Sequence, residues 1–123
     1  MNLNDITYDI RGAAFRVHRE LGPGLLESAY EGCLMYELVQ MGYEVQQQVS
    51  LPLYYGDVKI EVGYRIDLLV AQRIVLELKS VDTLLPIHTA QLLTYLKLSN
   101  LSLGLLMNFN IKNMQKGIIR YVL

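Results

Sequence analysis

The sequence predicts one α/β (α+β) domain over residues 1–123, a mixed β-sheet flanked by helices in the order α-α-β-β-β-α-β-β. Three observations carry that prediction. Apolar residues recur at helical spacing before Gly42 and again after Pro86, while the segments between and beyond them are strand-like. Gly22-Pro23-Gly24, Gly42, Gly56-Asp57 and Pro86 fall at the changes of pattern. A chain of 123 residues with 52% hydrophobic and 19% charged residues can bury one core and is too short for two.

Asn4 or Asp5 is placed to cap a first helix running to about Leu21, because Ile6, Ile10, Ala13, Ala14, Val17 and Leu21 share a helical face. Gly22-Pro23-Gly24 stops it. A second helix is expected from about Leu25 to Met41, with Tyr30, Leu34, Leu38 and Met41 as its stripe and Gly42 at its end. Tyr43 to Tyr55 is rich in Val, Tyr and Gln and reads as a strand bent at Pro52, with Gly56-Asp57 as the following turn. Lys59 to Val70 and Arg73 to Ser80 read as two further strands. The third helix, about Pro86 to Ser99, opens with Pro where a missing N–H costs least. Leu103 to Phe109 is nearly all apolar, as in a strand buried on both faces, and Gly117 to Val122 alternates as a last short strand.

Composition narrows the function classes. A net charge of −1 and a pI near 6.1 exclude a strongly basic nucleic-acid-binding surface but leave room for a local basic groove. Cys33 is alone, so no intramolecular disulfide forms, in keeping with a reducing compartment. Asp5, Asp9 and Arg11 interrupt the first segment, which lacks the apolar run of a signal peptide. No apolar stretch is long enough for a membrane helix. A cytoplasmic protein without membrane contacts is expected.

Chemistry concentrates in Asp67, Glu77 and Lys79. Glu77 and Lys79 interrupt the apolar run Ile74-Val75-Leu76-Leu78, and Asp67 interrupts Ile66-Leu68-Leu69-Val70. Charged groups in such strands are expensive to bury. Opposed residues in an antiparallel hairpin have a constant index sum. A three-residue connection, Ala71-Gln72-Arg73, therefore sets Asp67 opposite Glu77, whereas a two-residue turn puts them on opposite faces. An odd-length connection or a bulge is expected, with Arg65, Asp67, Glu77 and Lys79 on one face and Ile66, Leu68, Leu76 and Leu78 on the other. Two carboxylates about 5 Å apart repel, which raises the pKa of one of them unless a cation lies between. All-oxygen ligands suit Mg²⁺ or Mn²⁺. Lys79 beside such an ion can orient water or stabilise phosphate charge, the inventory of metal-assisted phosphodiester hydrolysis.

Two more clusters accompany it. Glu27 lies in the first turn of the second helix, where the helix dipole favours an anion. His88, Gln91 and Tyr95 share a face of the third helix. That helix follows Lys79 closely, so the Gln91 amide is expected within about 8 Å of the Glu77 or Lys79 side chain. Other residues have plainer readings. Cys33 is expected in the core or at its boundary, His18 is assigned a structural role, and Tyr54, Tyr55 and Tyr64 read as strand formers before base-stacking groups.

Taken in order, Gly24-x-x-Glu27-x-x-Tyr30, Asp67-x9-Glu77-x-Lys79 and Gln91-x3-Tyr95 resemble the small bacterial GxxExxY proteins of the PD-(D/E)XK nuclease superfamily. The resemblance runs from His18-Arg19-Glu20-Leu21-Gly22-Pro23-Gly24 to the C-terminal strand. It implies a restriction-endonuclease-like α-β-β-β-α-β core with a mixed sheet. It matches Glu27 to the helix-borne acid, Asp67 to the central metal ligand, and Glu77 and Lys79 to the last acid and the lysine. It matches Gln91 and Tyr95 to the extra motif of the helicase-associated exonuclease branch, where they position substrate or active-site groups. The Pro of the superfamily name is absent, since Arg65-Ile66 precedes Asp67.

Three functions compete. The first is a nuclease acting on DNA, in which Asp67, Glu77 and the Leu78 carbonyl hold Mg²⁺ or Mn²⁺, Glu27 completes or orients the shell, and Lys79 places water for attack on phosphorus. The second is a non-catalytic binding or regulatory module acting with a partner protein, favoured by the near-neutral charge. The third is a subunit that forms a homodimer through an apolar strand edge.

Overall fold

The computed structural model describes residues 1–123. Its elements are α1 (Leu3–Leu21), α2 (Glu27–Gln40), β1 (Val45–Tyr55), β2 (Val58–Val70), β3 (Ile74–Lys79), α3 (Pro86–Ser99), β4 (Leu103–Asn108), a 3₁₀ turn (Met114–Gly117) and β5 (Ile118–Val122). The order is the one the sequence predicts. The strands make one five-stranded mixed sheet in the order β1-β2-β3-β4-β5. Only β3 and β4 run parallel, and α3 is the crossover that parallel neighbours require.

Helices cover both faces. Ile10, Ala13 and Ala14 of α1 and Tyr30, Leu34 and Leu38 of α2 pack on Leu68, Leu76, Leu78, Leu105 and Met107. Leu92, Tyr95 and Leu96 of α3 pack on the opposite face, against Ile66, Val75 and Leu106. All six residues of β4 are buried, which explains its unbroken apolar run.

The element ends follow local chemistry. α1 begins before Asn4, because the Asn2 side chain accepts from the Asp5 N–H at 2.9 Å and so serves as the cap. α2 begins later than expected, at Glu27, because the preceding turn is pinned. The buried Tyr30 hydroxyl donates to the Gly22 carbonyl at 2.6 Å and accepts from the Leu25 N–H at 3.1 Å. Its ring stacks on Phe109 with centroids 4.6 Å apart. His18 also has a structural bond, from Nε2 to the Ile111 carbonyl oxygen at 2.6 Å. Cys33 is exposed on α2, not in the core.

The β2–β3 hairpin has the odd connection. Leu68, Leu69 and Val70 pair with Leu76, Val75 and Ile74, leaving Ala71-Gln72-Arg73 as the loop, with Ala71 and Gln72 left-handed at φ 54° and 55°. β1 is irregular at Pro52: Leu51 pairs with Tyr64 and Leu53 with Ile60, so Pro52 faces Glu61-Val62-Gly63. One expectation fails. Ile66 does not share a face with Leu68, Leu76 and Leu78, but packs with Val75, Leu92 and Tyr95 beneath α3. The alternation of β2 breaks at Asp67, opposite a left-handed Gln48 (φ 52°) on β1.

Candidate active site

Asp67 and Glu77 occupy the place where β2 and β3 part. The ladder between β2 and β3 ends at Leu68 and Leu76, so the next opposed pair is Asp67 and Glu77. Here side chains replace the ladder. The Asp67 N–H donates to Glu77 Oε1 at 3.1 Å, and the Leu78 N–H donates to Asp67 Oδ2 at 2.8 Å. In an extended strand the N–H and C=O of one residue point to the same side. The Leu78 carbonyl therefore faces the fork, whereas the Lys79 carbonyl turns to β4 and accepts from the Phe109 N–H at 2.9 Å.

α3 supplies the next groups. Lys79 Nζ donates to Gln91 Oε1 at 3.1 Å, and Gln91 Nε2 donates to the Tyr95 hydroxyl at 3.0 Å. Gln91 is thus closer to Lys79 than the sequence required. Tyr64 tilts over Tyr95, ring centroids 6.0 Å apart, and both line a groove of about 340 Å³ with His88, Gln91 and Thr94. His88 also accepts the Leu85 N–H on Nδ1 at 3.0 Å, which holds the start of α3.

α2 approaches from the other face. Glu27 is exposed in its first turn and borders a hollow with Leu25, Leu26, Ser28 and Ser80. Ser80, the residue after Lys79, donates from Oγ to the Leu25 carbonyl at 2.6 Å and ties β3 to the start of α2.

Glu31 and its partners are not among the residues expected from the sequence. Glu31 is only 7% exposed. It accepts from Gln47 Nε2 at 2.6 Å and Gln48 Nε2 at 2.8 Å, and the same Gln48 nitrogen lies 3.3 Å from Asp67 Oδ1. A signal existed: Glu27, Glu31, Leu34 and Leu38 recur at helical spacing, so a carboxylate occupies a stripe that otherwise enters the core. Gln47 and Gln48 gave none, since paired amides are common on solvated strands.

The electrostatics agree with the crowding. Burial first, and the Asp67 charge second, push Glu77 up to about 8, so it holds a proton at neutral pH. Burial also raises Glu31, as do the charges of Asp67 and Glu27, while the Gln47 and Gln48 amides oppose the shift. Tyr95 is raised by burial and by the Glu77 charge.

Donor chemistry at the fork fits a hard divalent cation. Two carboxylates and a backbone carbonyl face one cleft, and the proton held by Glu77 is one a cation can replace. No group of three or more His, Cys, Asp and Glu side chains is placed to hold a metal ion, so the fork offers two carboxyls and one carbonyl. Mg²⁺ bound by so few protein ligands would keep several waters.

A mixed sheet with helices on both faces, carrying an Asp, a Glu and a Lys at the fork of two central strands, defines a restriction-endonuclease-like α+β protein. The family model described as the PD-(D/E)XK nuclease superfamily matches residues 4–121, and the chain belongs to that superfamily. No curated protein and no solved structure matches it. No helix is long and apolar enough to cross a membrane.

Proposed function

We propose that the protein is a metal-dependent phosphodiester hydrolase acting on DNA. The observation that carries this reading is the Asp67–Glu77 pair at the strand fork, with Lys79 held beside it by Gln91. Asp67, Glu77 and the Leu78 carbonyl would hold Mg²⁺ or Mn²⁺. A divalent cation there supplies Lewis acidity toward a phosphoryl oxygen and lowers the pKa of water.

The chain's own groups do the rest. Asp67 and Glu77 are fixed because each carboxylate also accepts a backbone N–H. The Lys79 ammonium is aimed by Gln91, and Tyr95 fixes the Gln91 amide from behind. Lys79 so held can orient water and stabilise negative charge developing on the phosphate. Glu27, exposed in the first turn of α2 beside Ser80, would complete or orient the shell.

The test is cleavage of linear, nicked and single-stranded DNA by wild type and Lys79→Ala, with Mg²⁺, Mn²⁺ or chelator. Cation-dependent cleavage by the wild type alone supports the reading. No cleavage of any substrate with either cation rejects it. The second reading, a binding or regulatory module acting with a partner protein, rests on the net charge of −1, which leaves few uncompensated phosphate contacts. It is favoured if DNA or a partner is bound without cleavage.

A further inference from the structure

We propose that Gln48 is a positioning residue of this site, and that through it Glu31 is the α2 carboxylate coupled to Asp67. Three observations converge. Gln47 and Gln48 are consecutive residues of β1, and consecutive strand side chains ordinarily point to opposite faces. Here both reach Glu31, Gln47 at Oε2 and Gln48 at Oε1. They can do so because Gln48 is left-handed, with φ 52°, a conformation that glutamine seldom adopts and that must be held in place by its surroundings.

What holds it is the bridge. One nitrogen, Gln48 Nε2, lies 2.8 Å from Glu31 Oε1 and 3.3 Å from Asp67 Oδ1, so it links the acid of α2 to the acid of β2. Asp67 is then gripped from two sides, by the Gln48 amide on Oδ1 and by the Leu78 N–H on Oδ2. The carboxylate cannot rotate without giving up one of them. Packing does not explain Glu31, because Leu34 and Leu38 fill the next positions of the same stripe and a leucine would bury more cheaply. A buried acid satisfied by two amides and aimed at Asp67 is a feature of the site. The proposal rests on the nuclease reading for its consequence but not for its geometry.

Gln48→Gly is the informative variant, since glycine adopts this φ without strain and only the amide is lost. Gln48→Asn, tolerant of the same φ but one carbon shorter, guards against an effect of backbone freedom alone. Two readouts separate the possibilities. The first is the ¹³C shift of the Asp67 carboxyl in cation-free protein. The second is Mn²⁺ affinity by calorimetry. Both variants should keep the wild-type urea midpoint or exceed it, yet displace the Asp67 carboxyl resonance and weaken Mn²⁺ about tenfold, the scale for groups that orient metal ligands. Glu31→Gln should weaken Mn²⁺ similarly, and the Gln48→Gly/Glu31→Gln double variant should be no worse than either alone. On cleaved DNA, kcat should fall with KM unchanged. An unmoved Asp67 resonance in Gln48→Gly, or losses of Mn²⁺ affinity that add in the double variant, would overturn the proposal. If the wild type neither binds Mn²⁺ nor cleaves DNA while the Asp67 resonance still moves, the nuclease reading falls and the positioning role stands.

Discussion

Replacing the titratable carboxyl of Glu77 by an amide should stabilise the cation-free protein, by an amount that depends on pH. The residue is 3% exposed, and its carboxyl is pushed up from an ordinary 4.5 to about 8, first by burial and then by the Asp67 charge. The sign follows from counting protons. Between 4.5 and about 8 the folded protein keeps the Glu77 proton that the unfolded chain has lost. The native state binds more protons, so stability falls as pH rises through that window. At about 1.4 kcal/mol per pH unit, the loss is about 3 kcal/mol at pH 7 and about 5 kcal/mol above pH 8. Near pH 4.5, where the unfolded chain also holds the proton, almost none is lost.

Glu77→Gln keeps the shape and the acceptor for the Asp67 N–H, and its amide can donate to the Asp67 carboxylate as the protonated acid does. Cation-free Glu77→Gln should therefore exceed the wild type by about 3 kcal/mol at pH 7, a rise of about 10 °C in Tm for a chain of this size. The two should converge near pH 4.5. Thermal unfolding from pH 4.5 to 9 in chelator, followed by circular dichroism, measures this. Parallel curves for the two proteins would refute the reasoning, because they would mean that Glu77 titrates alike folded and unfolded. Mn²⁺ should reverse the order at pH 7 and above, since a cation replaces the proton in the wild type and finds no second carboxylate in the variant.

Three other outcomes are expected. Asp67→Asn should abolish Mn²⁺ binding in calorimetry while leaving cation-free stability unchanged or raised, because it removes a charge that opposes Glu77; a loss above about 3 kcal/mol would mark Asp67 as structural. Tyr30→Phe should destabilise by about 1–3 kcal/mol in urea unfolding, since the Leu25 N–H and the Gly22 carbonyl lose their shared hydroxyl while the Phe109 stack survives; an unchanged midpoint would show that water replaces it. Gly117→Ala should be far more damaging in thermal unfolding than Gly104→Ala, because the new Cβ meets the rigid Asn108 carbonyl in one case and the flexible end of Leu92 in the other; the reverse order would count against the packing described.

The β2–β3 register was legible because it needs only an index sum and a turn length, and both are local. The position of Gln91 was legible because Ser80–Leu85 is too short to carry α3 away from Lys79. The face of Ile66 was not. It depends on the break in alternation at Asp67, opposite the left-handed Gln48, and nothing about glutamine announces a positive φ. Glu31 was half legible: its helical spacing places it on the buried stripe, but its partners come from β1, a strand whose Gln-rich pattern reads as solvated. The start of α2 was misplaced for a similar reason. The Tyr30 hydroxyl holds Leu25 outside the helix, and a contact between a turn and a buried phenol has no signature in a propensity scale.

The fork itself explains why this site uses carboxylates. A sheet can open between two central strands only if the N–H groups that lose their ladder partners find others, since buried orphans cost about 1–3 kcal/mol each. Asp67 and Glu77 meet that need: one takes the Leu78 N–H and the other the Asp67 N–H. The same side chains then both hold the cleft open and line it with carboxyl oxygens. Alanine and amide substitutions should accordingly diverge. Asp67→Ala orphans the Leu78 N–H and Glu77→Ala orphans the Asp67 N–H, so each should be less stable than its amide counterpart, whereas Asn and Gln keep the acceptors and remove only the ionisable group. Urea unfolding of the four variants in chelator decides it. If the alanine forms are as stable as the amide forms, the carboxylates do not support the fork, and the parting of β2 and β3 must be ascribed to the packing of Ile66 beneath α3.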